Sequence, residues 1–153
     1  MNEEELLMTK PTMLVVEDNP EHLELTLSAL EDSDSCHTLV IAANGREALD
    51  YLFGEGVYSG RSTEEQPELV LLDLGMPQMN GLQVMQHMRN DPRTFFVPVV
   101  MLTSASEQSQ AVLAFKGGLN SYVSKPLDSR EFDRRLQQVR EYWRTSNFAP
   151  LSF

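Results

Sequence analysis

Three carboxylates, a hydroxyl and an amine stand at the ends of apolar runs in this sequence, and together they could transfer a phosphoryl group. Glu17 and Asp18 follow Met13-Leu-Val-Val, and Asp73 closes Leu69-Val-Leu-Leu. Thr103 closes Pro98-Val-Val-Met-Leu, and Lys125 follows Tyr122-Val-Ser. Carboxylates brought to one edge repel unless a cation joins them. Hard oxygen ligands suit Mg²⁺, which keeps several waters and usually accompanies phosphate. Glu17, Asp18 and Asp73, with a backbone carbonyl from the loop after Asp73, would form a partial cage. A carboxylate in such a cage can attack phosphorus and form an aspartyl-phosphate. Phosphoryl transfer asks the protein mainly for positioning and charge neutralisation. Lys125 as a point charge and Thr103 as a donor could meet the phosphoryl oxygens.

For these groups to meet, the runs must be strands whose carboxyl ends share one crevice. Short apolar, β-branched runs bounded by loop signals read as buried strands, and in an open parallel sheet the carboxyl ends line the binding site. The spacing predicts strands over 12–17, 38–42, up to Asp73, over 97–102 and over 121–124. Helices alternate with them. Asn19-Pro20 supplies a capping side chain and a proline for the first turn, and Leu23, Leu27 and Leu30 form an inward stripe. A second helix over 46–53 buries Ala48, Leu49, Leu52 and Phe53. Residues 54–67, with three glycines and a proline, read as a surface loop. A third helix after Gly81 turns Leu82, Val84, Met85 and Met88 inward. A fourth falls near 107–116, and a fifth over about 128–144 carries Phe132, Leu136, Val139 and Trp143. Five alternating pairs imply a parallel sheet covered on both faces. Phe95-Phe96 reads as core at the entry to the fourth strand, the methionines near the third helix as packing, and His22 as a solvated helix residue.

The bulk numbers narrow the function. A chain of 153 residues fits one domain, with 1–10 a loose N-terminus, 11–144 the domain and 145–153 a tail. A net charge of -11 opposes nucleic-acid binding, which needs a basic face, and opposes anionic membranes as partners. No run approaches the ~20 apolar residues of a membrane span. The start is acidic and lacks the layout of a secretory signal. Cys36 is the only cysteine, so a reducing cytoplasm is the expected home. The three histidines show no ligand spacing with it, which argues against structural zinc.

The set of motifs resembles the receiver domain of two-component response regulators. The matching text is Val16-Glu17-Asp18-Asn19-Pro20, Leu72-Asp73-Leu-Gly-Met-Pro77-x-x-x-Gly81, Leu102-Thr103-Ser104 and Gly118-x-Asn-Ser-Tyr122-Val-Ser-Lys125-Pro126. Each fragment alone is ordinary, as a strand-ending acid or a turn hydroxyl. All four in order, at these intervals and over residues 11–144, are specific. The resemblance implies a flavodoxin-like, doubly wound (βα)5 fold with strand order 2-1-3-4-5. It implies that Glu17 and Asp18 are metal-binding acids, that Asp73 is the phosphoacceptor and that Gly75 lends its backbone carbonyl to Mg²⁺. Thr103 and Tyr122 would be the switch pair, and Lys125 the phosphate-contacting lysine before a cis Pro126. Gly75 and Ala105 would flank the phosphoryl group and tune its lifetime, and both are too small to shield it from water.

A narrower resemblance joins the chain to the stand-alone regulators that partner phytochromes. It rests on the long loop at 54–67, on Asn120-Ser-Tyr-Val-x-Lys-Pro-Leu-Asp128, and on Tyr142-Trp143-x-x-x-Asn147-x-x-Pro150. It implies a sensor histidine kinase of the phytochrome type as partner and a homodimer through the fourth helix, fifth strand and fifth helix. The apolar tail residues Phe148, Leu151 and Phe153 would help cover that face. The expected function is thus a single-domain response regulator phosphorylated on Asp73, with a changed protein-binding surface as output and no enzymatic turnover on other molecules. Asn80, where an acid often precedes the glycine, and Leu119, in place of the usual alanine, are departures that do not touch this chemistry. Two other readings compete. An aspartate-nucleophile phosphatase usually needs a second acid two residues on, where Gly75 stands. A phosphorylation-independent binding module does not need the complete acid set and Lys125. A nucleotide-binding domain is disfavoured, since no glycine-rich fingerprint follows the first strand.

Overall fold

The computed structural model describes residues 11–30, 38–104, 121–124 and 129–146. Five strands are present: β1 (Thr12–Val16), β2 (Thr38–Ala42), β3 (Leu69–Asp73), β4 (Val99–Thr103) and β5 (Ser121–Ser124). The helices are α1 (Pro20–Leu30), α2 (Gly45–Phe53), α3 (Gly81–Arg89) and a C-terminal helix (Ser129–Ser146), with a 3₁₀ turn at Gly56–Tyr58. The strands form one parallel sheet ordered β2-β1-β3-β4-β5, as the sequence resemblance implies. The fourth strand begins at Val99, two residues later than the apolar run suggests, because Val97 closes a turn to Thr94. The helix expected near 107–116, the Lys125-Pro126 bond and the tail lie outside the described residues.

Burial on both faces explains why β3 and β4 read as continuous apolar runs, for every residue in them is buried. Alternate residues enter two cores. Leu14, Val16, Val70, Leu72, Val99 and Met101 pack with Ala48, Leu49 and Leu52 of α2 and Val84, Met85 and Met88 of α3. Met13, Val15, Leu69, Leu71, Val100 and Leu102 pack with Ala29 and Leu30 of α1 and Phe132 and Leu136 of the C-terminal helix. The sheet is therefore fixed against helices on each side, and its carboxyl edge is held as one unit.

Helix ends are locked by local chemistry. The Asn19 side chain accepts the backbone N–H groups of Glu21 and His22 at 2.9 and 3.2 Å, and Asn44 caps α2 through Glu47. Asn80 and Gln83 make a reciprocal capping box at α3, a feature that contributes about 1 kcal/mol. The 54–67 stretch is a packed cap on α2. Gly54 takes the left-handed conformation (φ 64°), and Arg61 and Gln66 donate to the carbonyls of Tyr51 and Leu52 in the last turn of α2. The Arg61 guanidinium also lies 3.9 Å over the Tyr51 ring.

Two expectations are corrected. The buried residues of α1 are Thr26, Ala29 and Leu30, while Leu23 and Leu27 are half-buried. The small Thr26 and Ala29 let α1 approach the sheet and the C-terminal helix closely, so the stripe is rotated by about one residue. Phe95 and Phe96 are not core. They are 58% and 62% exposed, because Arg89 holds the carbonyls of Phe95 and Val97 and the Thr94 hydroxyl holds that of Met88. Those bonds turn Thr94 and Val97 inward and the two rings out. The four methionines Met76, Met79, Met85 and Met88 do pack in the core or against it.

Candidate functional site

The register of the two central strands brings the acids together. Val16 pairs with Leu72, so the next residues on these neighbours are Glu17 and Asp73. The Glu17 N–H continues the ladder to Ala42 O at 3.0 Å, and the Leu74 N–H continues it to Leu102 O at 3.0 Å. Glu17 and Asp73 are 1% and 4% exposed, whereas Asp18 is exposed. One carboxylate oxygen from each of Glu17, Asp18 and Asp73 lies within 4.8 Å of the other two. The three predicted acids thus meet as expected.

The surrounding backbone positions Asp73. Its Oδ1 accepts the Gly75 N–H at 3.2 Å. The loop then folds back, with Gln78 at φ 67°, the Met79 N–H donating to Pro77 O at 2.7 Å, and the Gly81 N–H donating to Leu74 O at 3.1 Å. A Cβ on Gly81 would fall 2.7 Å from Asp73 O and 3.0 Å from Leu74 Cα. Glycine at 81 is therefore what allows α3 to start against the backbone of the acidic strand end. The sequence places this glycine in its motif but does not reveal the contact.

Thr103 ends β4 one residue beyond Leu102, the partner of Asp73. It is 0% exposed, and its Oγ1 finds no hydrogen-bond partner among the described residues. Such a group is costly to leave unmade. Thr103→Val is therefore expected to hold or raise stability in the absence of ligands, by up to about 1 kcal/mol. Urea denaturation checks this, and a loss above that size means that the hydroxyl is already bonded. Two buried carboxylates, one exposed one and a buried hydroxyl in need of an acceptor suit a hard divalent cation with an anionic ligand. Gly75 is exposed beside them. Lys125 and Ala105 lie outside the described residues, as does the side chain of Tyr122.

One neighbour was not anticipated. His22, in the first turn of α1, places Nδ1 3.8 Å from Glu17 Oε1. The Glu17 Oε2 lies 3.5 Å from the Asn19 N–H. The only signal in the sequence is that a helix capped by Asn19 starts directly after Asp18, which carries its third and fourth residues back over the strand end.

Comparison with known proteins agrees with this geometry. Residues 13–137 match the response regulator receiver domain model. The structure is similar to that of the phosphorylated cyanobacterial phytochrome response regulator RcpA, at a TM-score of 0.81 and 28% identity over 90% of this chain and 96% of that one. It is similar to the bacteriophytochrome response regulator AtBRR, at a TM-score of 0.70 and 42% identity over 83% and 90% of the two chains. The response regulator Rcp1 of Synechocystis sp. is 27% identical over 86% of this chain and 87% of its own length. The Mn²⁺-bound form of a response regulator Rcp1 superposes at a TM-score of 0.78 and 26% identity, over 87% and 94% of the two chains. On the family match, which spans both cores and the acidic edge, this chain belongs to the response regulator receiver domain family and resembles its phytochrome-associated members.

Proposed function

We propose that this protein is a response regulator that accepts a phosphoryl group on Asp73 from a phosphohistidine of a partner kinase. The observation that carries the proposal is the convergence of Glu17, Asp18 and Asp73 within 4.8 Å at the carboxyl edge of the sheet. A bound divalent cation, Mg²⁺ in the cell, neutralises the carboxylates and the incoming phosphoryl oxygens. An Asp73 carboxylate oxygen attacks phosphorus in line, the P–N bond to the kinase imidazole breaks, and that imidazole keeps the electron pair. Glu17 and Asp18, with the Gly75 carbonyl, hold the cation's side of the site. Lys125 and the Thr103 hydroxyl bind phosphoryl oxygens. The Thr103 hydroxyl gains there the partner that it lacks among the described residues, and that gain biases the protein toward the phosphorylated conformation. Tyr122 follows Thr103 inward, and the binding surface around 107–116, β5 and the C-terminal helix changes. Gly75 and Ala105 leave the acyl phosphate open to water, so its lifetime is short.

Incubation of the whole chain with acetyl phosphate and Mg²⁺ tests this reading. The expected product is one acyl phosphate per chain, on Asp73 by mass spectrometry. Sustained turnover of the donor would indicate a phosphatase. No adduct and no turnover would indicate a phosphorylation-independent binding module, which is the second reading.

The kinase is proposed to be of the phytochrome type, as the regulators RcpA and AtBRR are named for phytochromes. The cytoplasm is the proposed location. The domain is taken as 11–144 between a short N-terminal stretch and a tail at 145–153. A homodimer through the 107–116, β5 and C-terminal-helix face, helped by Phe148, Leu151 and Phe153, is expected to sediment as such. Deleting 147–153 should weaken its association at least about tenfold, and unchanged sedimentation would remove the tail's role.

A further inference from the structure

We propose that Leu6, Leu7 and Met8 of this chain fold over the Phe95–Phe96 pair and seal the amino edge of the sheet, at the opposite end from the acidic site. The proposal is independent of the phosphorylation chemistry. It starts from an aromatic pair that is held outward. The Val97 N–H donates to Thr94 O at 3.0 Å, which closes a turn with Phe95 and Phe96 at its two central positions. Thr94 is buried and its hydroxyl donates to Met88 O at 2.8 Å. Arg89 donates to Phe95 O and Val97 O at 3.0 and 2.9 Å. Both phenylalanines are more than half exposed, and their rings meet edge to face at a centroid distance of 6.3 Å. They cannot turn into the core without breaking this frame. Two adjoining exposed aromatic rings on a fixed turn mark a contact site.

The occupant follows from where the chain enters the sheet. Met13 is level with Leu69, and Val70 with Val99. Continuing both registers toward the amino edge sets Thr12, Glu68 and Val97 in one row, and the Glu68 N–H donates to Thr12 O at 2.8 Å. Neighbouring strands lie about 4.8 Å apart, which puts Thr12 about 10 Å from Val97. Residues 1–10 lie outside the described residues and join the sheet at this row through Pro11, whose carbonyl accepts the Thr38 N–H at 2.8 Å. Met8, Leu7 and Leu6 stand three, four and five residues before Pro11. At about 3.3 Å per residue their reach is about 10–17 Å, which spans the gap to the turn. Their chemistry suits the rings, since two branched aliphatics pack on them and a thioether gains from contact with aromatic edges. A tether this short also holds the segment near the pair at roughly millimolar effective concentration, an advantage that a separate molecule lacks.

Photo-crosslinking of the full chain tests the proposal, with benzoylphenylalanine in place of Leu7 and a mixture of ¹⁵N-labelled and unlabelled protein. The expected product joins residue 7 to the 93–97 peptide of the same chain. Crosslinks to that peptide between differently labelled chains would make a second copy the occupant. Crosslinks elsewhere, or none, would leave the pair uncovered by this segment, and each of these results overturns the proposal. Urea denaturation of Leu7→Ser, Phe96→Ser and the double variant reads the same contact as energy, and both sites lie outside the buried core, so the variants should fold. The two changes should couple by more than about twofold in the folding equilibrium constant, the size at which contacting residues depart from additivity. Losses that add to within about twofold would overturn the proposal, since independent sites behave so.

Discussion

Asp73→Asn is expected to abolish phosphate incorporation from a small phosphodonor, by at least about 100-fold, while the protein stays folded. The amide has no anionic oxygen to attack phosphorus, and the loss falls on the nucleophile itself. The fold should tolerate it because Asn keeps an oxygen acceptor for the Gly75 N–H, which Asp73 Oδ1 accepts at 3.2 Å. The change also removes one of three mutually repelling charges within 4.8 Å. Without metal, the thermal midpoint should therefore stay level or rise, since like charges at that distance destabilise each other. With Mg²⁺, the wild type should gain more stability than the variant, because the ion binds the folded state through the missing carboxylate. Labelling that persists on the variant would show that another residue is the acceptor.

Gly81→Ala should damage the same site from behind. The added methyl would meet two backbone atoms, Asp73 O at 2.7 Å and Leu74 Cα at 3.0 Å. Neither can swing away as a side chain can. The helix is not free to retreat either, for Val84, Met85 and Met88 are buried in the core, and a Cβ on Gly45 of α2 would already come within 2.9 Å of Val84. The strain must be shared between α3 and the end of β3. Overpacking of this kind costs about 1–3 kcal/mol, so the urea midpoint should fall accordingly. Displacement of Asp73 should also reduce the rate of phosphorylation about tenfold or more, since small misplacements at a reacting centre are expensive. Wild-type stability together with a wild-type rate would mean that the loop at 74–80 absorbs the methyl.

Much of the candidate site was legible because it is made of strand ends. A strand buried on both faces must be short and apolar, so the residue where polarity returns marks the carboxyl edge. That is how Glu17, Asp73 and Thr103 could be placed at one edge from the sequence; β2 and β5 also fall on their expected residues. The third helix was legible for a similar reason. Val84, Met85 and Met88 are the apolar positions of one face, and they are the residues that the core takes. The failures share a cause as well. In α1 the pattern Leu23, Leu27, Leu30 describes a stripe, yet only Leu30 of the three is fully buried, beside Thr26 and Ala29, while Leu23 packs against the core and Leu27 is half-buried. Helical periodicity gives the existence of an apolar face but leaves its rotation to the partner helix. Phe95 and Phe96 looked like strand-entry core by composition alone. Arg89, six and eight residues before the carbonyls that it holds, reverses that.

The sequence by itself determined the order of elements, the parallel sheet and the identity of the three acids, because local apolar runs and their boundaries encode these directly. Only the tertiary structure decided that His22 stands beside Glu17 and that Gly81 rests on the backbone of Asp73. Such distances run between elements, and they follow from strand register, helix rotation and close packing, which no stretch of neighbouring residues specifies alone.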